Sequence, residues 1–177
     1  MMRRRFVLAL AAVLLAACGS SPVAVAPPAV PTRVPLRAVN LEPVLIQDGD
    51  LPSGLSPAQV FDAPPPAFKD YPAATKAAYQ RFQRAGDTAG GVTVLLYEQA
   101  ADLANAAAQA VPTKKDYQAV EGVGERAALF VPELLTVRQI GFVRCQAVVN
   151  VVMDQVEPDE LIAYAKRLDR RLQGMVC

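Results

Sequence analysis

The chain of 177 residues contains no histidine and no tryptophan, and only four serines, Ser20, Ser21, Ser53 and Ser56. Without histidine the commonest general base and metal ligand is missing, and no Ser-His-Asp or Cys-His nucleophile can be assembled. None of the serines lies in a Gly-x-Ser-x-Gly context. The missing tryptophan and an aromatic share of 6% argue against sugar-stacking or base-stacking surfaces. Strong charge is absent too. A formal net charge of +1 gives no basic footprint for nucleic acid. No cofactor motif is present. The glycines from Gly86 to Gly91 are not followed by Lys-Ser/Thr and so do not make a phosphate loop.

Carboxylates are the remaining candidates for chemistry, and each has a plainer explanation. Asp48 and Asp50 lack the further acidic ligands of a calcium loop and read as a polar turn. Asp87 sits in a glycine-rich turn. Glu121 and Glu125 are four apart, but Gly122 and Gly124 between them predict a turn, not a helix that would hold the pair on one face. The expectation is therefore no catalytic residue and no metal site.

What the chain does have is a marked start. Arg3, Arg4 and Arg5 precede twelve apolar residues, 6–17, and then Cys18-Gly19-Ser20. As a helix the run spans about 18 Å, against a bilayer core of about 30 Å, so it is a secretory signal and not a stable span. Leu15-Ala16-Ala17-Cys18 resembles the lipobox of bacterial lipoproteins. That resemblance implies cleavage between Ala17 and Cys18, acylation of the Cys18 thiol, and attachment to a cell-envelope membrane on the extracytoplasmic side. Cleavage removes the three arginines and takes the net charge to about −2. Residues 18–40 carry Pro22, Pro27, Pro28, Pro31 and Pro35 and read as a proline-rich tether. Residues 41–177 are expected to form one folded domain.

Within that domain the pattern predicts α+β: an antiparallel sheet of about five strands with two helices, most simply on one face. Residues 59–62 suit a short strand. Residues 73–84 suit either helix or strand, with a strand over 78–84 favoured, leading through a turn at 86–91 to a strand at 92–97. A helix is expected over 98–111, with Ala100, Leu103, Ala104, Ala107 and Val111 as its packed stripe. Apolar stretches follow at 126–131, 134–144 and 147–153, the last two joined by a hairpin at Cys145-Gln146. The clearest helix begins at Pro158, carries Leu161, Ala165, Leu168 and Leu172 on one face, and should end at Gly174. Lys166, Arg167, Arg170 and Arg171 read as its solvated face.

With Cys18 assigned to lipid, Cys145 and Cys177 form an even pair in an exported chain, which points to a disulfide tying the C-terminus to the hairpin tip. The order Leu51-Pro52, Val92-Thr93-Val94-Leu95-Leu96-Tyr97, alanine-rich helix, Val123-Gly124-Glu125-Arg126-Ala127 and Phe142-Val143-Arg144-Cys145 also resembles small bacterial lipoprotein domains of unassigned function. Some of these are similar in layout to extracellular sensor domains of receptor kinases. The resemblance implies no particular ligand residue.

The functional expectation is a lipid-anchored, non-enzymatic envelope domain. It would bind an envelope protein or small ligand, through an exposed sheet face or residues 64–71. Two alternatives stand beside it: an envelope hydrolase using carboxylates or a metal, and a purely structural envelope component.

Overall fold

A computed structural model describes residues 35–45, 47 and 49–177. Seven strands, β1 Ser56–Phe61, β2 Lys76–Arg84, β3 Asp87–Leu96, β4 Tyr117–Ala119, β5 Arg126–Phe130, β6 Val137–Arg144 and β7 Ala147–Asp154, form one antiparallel sheet. Its order is β1-β2-β3-β7-β6-β5-β4. The helices are α1 Ala100–Ala110 and α2 Pro158–Val176. The α+β class holds, with seven strands where the sequence suggested about five.

The helices lie on opposite faces, not on one. Val92, Val94 and Leu96 of β3 and Val149, Val151 and Met153 of β7 pack in one cluster with Leu161, Ala165, Leu168 and Leu172 of α2. Leu95 of β3, Val148 of β7 and Val143 of β6 pack in another with Ala106, Ala107 and Ala110 of α1. Because side chains alternate along a strand, these two sets point to opposite sides. The central strands are therefore buried on both faces, which is why residues 92–97 read as an almost unbroken apolar run.

Local details follow from the same physics. The 73–84 ambiguity resolves as strand. The turn before β3 is tighter than expected: Ala85 (φ 50°) and Gly86 (φ 93°) make it, and Gly90 and Gly91 are already inside β3. They are glycines because a Cβ at Gly90 would lie 2.0 Å from the Val152 carbonyl oxygen and one at Gly91 would lie 2.5 Å from the Tyr79 ring. The packed stripe of α1 is Leu103, Ala106, Ala107 and Ala110, whereas Ala100 and Ala104 are exposed. Its close approach depends on Gly141 of β6, where a Cβ would sit 1.8 Å from the Ala110 carbonyl oxygen. The last strand before the Cys145-Gln146 hairpin starts at Val137, because Leu134 and Leu135 are 94% and 60% exposed after Pro132.

Helix α2 opens with Pro158 at its first turn and a reciprocal cap between Glu157 and Glu160, and it continues past Gly174 to Val176. Ahead of β1, Leu36, Val39, Leu41, Val44 and Leu45 are buried against the α2-side core. The packed unit thus takes in residues that the sequence reading left in the tether.

Candidate functional site

Helix α2 is pinned at three places, and the groups involved are those the sequence had offered for chemistry or solvent. Arg171 pairs with the Asp50 carboxylate at 2.7 and 2.9 Å, and the Gln47 amide donates to it at 2.9 Å. Arg167 donates to the Asp50 carbonyl at 2.5 Å, and Arg171 to the Leu45 carbonyl at 3.2 Å. Burial alone would raise the Asp50 carboxyl. The Arg171 hydrogen bond, the Gln47 amide and the charges of Arg171 and Arg167 outweigh it and hold the group below the ordinary carboxylate value. Arg167 and Arg171 are thus not the solvated face expected of them, although Lys166 and Arg170 are exposed. Asp48 lies outside the described residues.

The second pin is a two-bond pair at the far end of β6. Arg144 donates to both Asp169 carboxylate oxygens at 2.6 Å, and Asp169 is buried. That hydrogen bonding raises the already high Arg144 value further, against the opposing effect of burial. The third pin is the Cys145–Cys177 disulfide, Cα–Cα 5.5 Å, which joins the β6–β7 turn to the residue just past α2. Cys145 sits at φ 49°, and its amide donates to Glu125 Oε1 at 2.9 Å. Glu125 therefore caps a turn; its own amide donates to the Val143 carbonyl at 2.8 Å. Among the described residues no cluster of three or more His, Cys, Asp or Glu is placed to hold a metal ion. No described helix is long and apolar enough to cross a membrane. Ala17 and Cys18 lie outside the described residues.

The α1 side of the sheet is different in kind. Helix α1 has only eleven residues, and the rest of its roof is the chain between β1 and β2. This segment is stitched down by Tyr97 Oη to the Pro72 carbonyl, 3.2 Å, by Gln109 Nε2 to the Asp70 carbonyl, 3.2 Å, and by the Thr75 amide to the Leu96 carbonyl, 2.8 Å. Phe68 and Tyr71 pack from it onto the α1-side core. Burial raises the Tyr97 phenol to about 12, with the Tyr71 and Asp102 charges adding to it. Burial also raises Tyr71, partly offset by a hydrogen bond with Asn150. Asn150 is itself buried, and its Oδ1 has no partner among the described residues.

The fold concentrates what the composition had diluted. Phe61, Phe68, Tyr71, Tyr79, Tyr97, Tyr117 and Phe130 all lie on this side of the sheet, and all but Tyr97 are partly exposed. Phe61 stacks on Tyr79 at 5.8 Å near one edge, and Tyr117 on Phe130 at 5.0 Å near the other. Two cavities flank the proline loop and share Ala63 and Pro64 as a wall. One, about 400 Å³, runs from Phe68 and Tyr71 to Ala77 and Leu95. The other, about 360 Å³, is bounded by Phe61, Tyr79 and Arg81. The sequence signal for this site was the proline cluster at 64–66; of the aromatics that meet it, Phe68 and Tyr71 follow in the same segment, whereas Phe61 and Tyr79 come from β1 and β2 and could not be grouped with it beforehand. No protein-family model, curated protein or solved structure matches this chain.

Proposed function

We propose that this protein is a lipid-anchored envelope protein, held through acylated Cys18 on the extracytoplasmic side, whose folded domain binds a ligand or partner without catalysing a reaction. The binding surface is the α1-side sheet face with the loop at residues 64–71. The observation that carries the binding reading is the pair of cavities beside Pro64, set in a face that leaves six aromatic side chains partly exposed. The anchor reading is supported by Arg3, Arg4 and Arg5, the apolar run and Leu15-Ala16-Ala17-Cys18. It is supported further by the fate of the other two cysteines, which bond each other and leave Cys18 as the chain's one thiol without that role. Two of the carboxylates a hydrolase would draw on are engaged elsewhere: Asp50 in its arginine clasp, Glu125 at the Cys145 amide.

A photo-crosslinking side chain placed at Ala63, compared with one at Lys166 on the exposed side of α2, tests the surface in the native envelope. A discrete product from position 63 and none from 166 is expected. Equal, diffuse labelling at both would remove the binding face.

A further inference from the structure

The cavity of about 360 Å³ has a lopsided lining: two aromatic rings, Phe61 and Tyr79, three prolines, Pro64, Pro65 and Pro66, and one charged group, Arg81. Its volume falls at the lower end of the range for small-molecule sites. Arg81 is exposed, and its guanidinium carbon lies 4.9 Å from the centre of the Phe61 ring. Five other arginines are committed: Arg144 to Asp169, Arg167 and Arg171 to Asp50, Arg84 and Arg138 to backbone carbonyls. Arg81 has neither a hydrogen bond nor an ion pair with any described residue. A guanidinium held over an aromatic ring has already given up part of its rotamer freedom while its N–H donors stay available to an anion.

An apolar recess with one pre-placed, unpaired guanidinium at its mouth is complementary to an amphipathic anion. We infer that this cavity binds a carboxylate carried on a small apolar or aromatic body. The body would lie against Phe61, Tyr79 and the three prolines, and the carboxylate would take paired hydrogen bonds from Arg81. The prolines and the Phe61 ring offer the anion no donor and the Tyr79 hydroxyl only a neutral one, so the specificity for charge rests on Arg81. The carboxylate can come from a free organic acid or from the C-terminus of a peptide; both present the same two oxygens. This inference rests on the proposed ligand-binding role and names the class of ligand.

The test uses the full chain from residue 18 with Cys18→Ser, so that no detergent competes for the cavity, and with the disulfide intact. It is titrated with 4-phenylbutyrate and with 4-phenylbutyramide, which share one apolar body and differ in that only the first carries a charged, acceptor-only head group. A short peptide ending in phenylalanine, with free or amidated C-terminus, makes the second arm. Binding is followed by NMR through the Phe61 and Tyr79 ring signals. The acid is expected to bind about tenfold or more tightly than the amide, the range set by a charge-assisted pair. Arg81→Gln should bring the acid down to the amide's affinity, Arg81→Lys should recover part of it, and added salt should weaken the acid only. Tighter binding of the free peptide terminus than of phenylbutyrate would identify a chain end as the source; the reverse would identify a free acid.

Equal binding of acid and amide, or an Arg81→Gln variant that binds the acid unchanged, would overturn the inference. If no probe moves the ring signals while crosslinking from Ala63 still gives its discrete product, the carboxylate site falls and the proposed function stands. If both fail, both fall.

Discussion

Replacing Cys145 and Cys177 together by serine should lower stability by about 4 kcal/mol without changing the fold. The magnitude follows from the loop the bond closes. With the partners at a sequence separation of 32, the chain-entropy relation gives roughly 12 cal/mol/K, or about 3.7 kcal/mol at 25 °C. Spread over an unfolding entropy of about 2.1 cal/mol/K per residue for roughly 140 residues, this is a fall in Tm of about 12 °C. The native state should change little, because Arg144 still holds Asp169 through two hydrogen bonds and Arg171 still holds Asp50. The loss should therefore appear mainly in the denatured chain, which becomes more open and gives a larger urea m-value. Urea titrations of the oxidised wild type and of Cys145→Ser/Cys177→Ser, with far-UV circular dichroism as the check on fold, make the measurement. A loss below about 1 kcal/mol with an unchanged m-value would refute the reasoning. So would a variant that lost α2 altogether, which would mean that the ion pairs do not hold the helix.

Three further outcomes are expected. The Asp50 carboxyl is held below its ordinary value, so its contribution is present above about pH 4 and is lost as the pH falls through the lowered folded value; Asp50→Asn should cost about 2 kcal/mol at neutral pH and flatten the acid limb of a pH–stability curve, and an unchanged limb would contradict the clasp. Burial raises Tyr71, Tyr97 and Tyr164, so stability should fall as the pH rises above about 10, where these phenols would ionise in the unfolded chain; absorbance at 295 nm should show late ionisation that coincides with unfolding, and a native domain in which every tyrosine titrates near 10 would count against it. Gly141→Ala puts a methyl group 1.8 Å from the Ala110 carbonyl oxygen and should cost about 2–3 kcal/mol by lifting α1 from the sheet; hydrogen exchange should quicken in α1 and not in α2, and uniform protection would show that the contact relaxes freely.

The parts of the fold that could be read from sequence are those with a sustained period. Helix α2 announced itself through Pro158, its early acids and the 161, 165, 168, 172 spacing, and all four of those residues are buried. Strand β7 showed its alternation, and the pairing of Cys145 with Cys177 followed from counting. Strand β4 was missed because three residues carry no period. The placement of both helices on one face was wrong for a reason visible in retrospect: Leu95, Val143 and Val148 give the second face of β3, β6 and β7 an apolar patch, which needs cover of its own.

The site was less legible than the fold. Proline at 64–66 marked a loop, but an exposed arginine inside a strand looks like any solvated residue. What distinguishes Arg81 is Phe61 beneath it, brought there by the β1–β2 pairing across an irregular register. In the same way Arg167 and Arg171 looked like ordinary late-helix charges, since nothing in the chain signals that Asp50 arrives from more than a hundred residues away.

The central claim is a tethered domain, and the intact mass of the membrane-extracted protein tests it most directly, alkylated with and without prior reduction. The account predicts a chain beginning at Cys18, heavier by its acyl chains, with two alkylation sites appearing only after reduction. A chain that keeps its first seventeen residues, carries no acyl mass, or shows free thiols before reduction would contradict it.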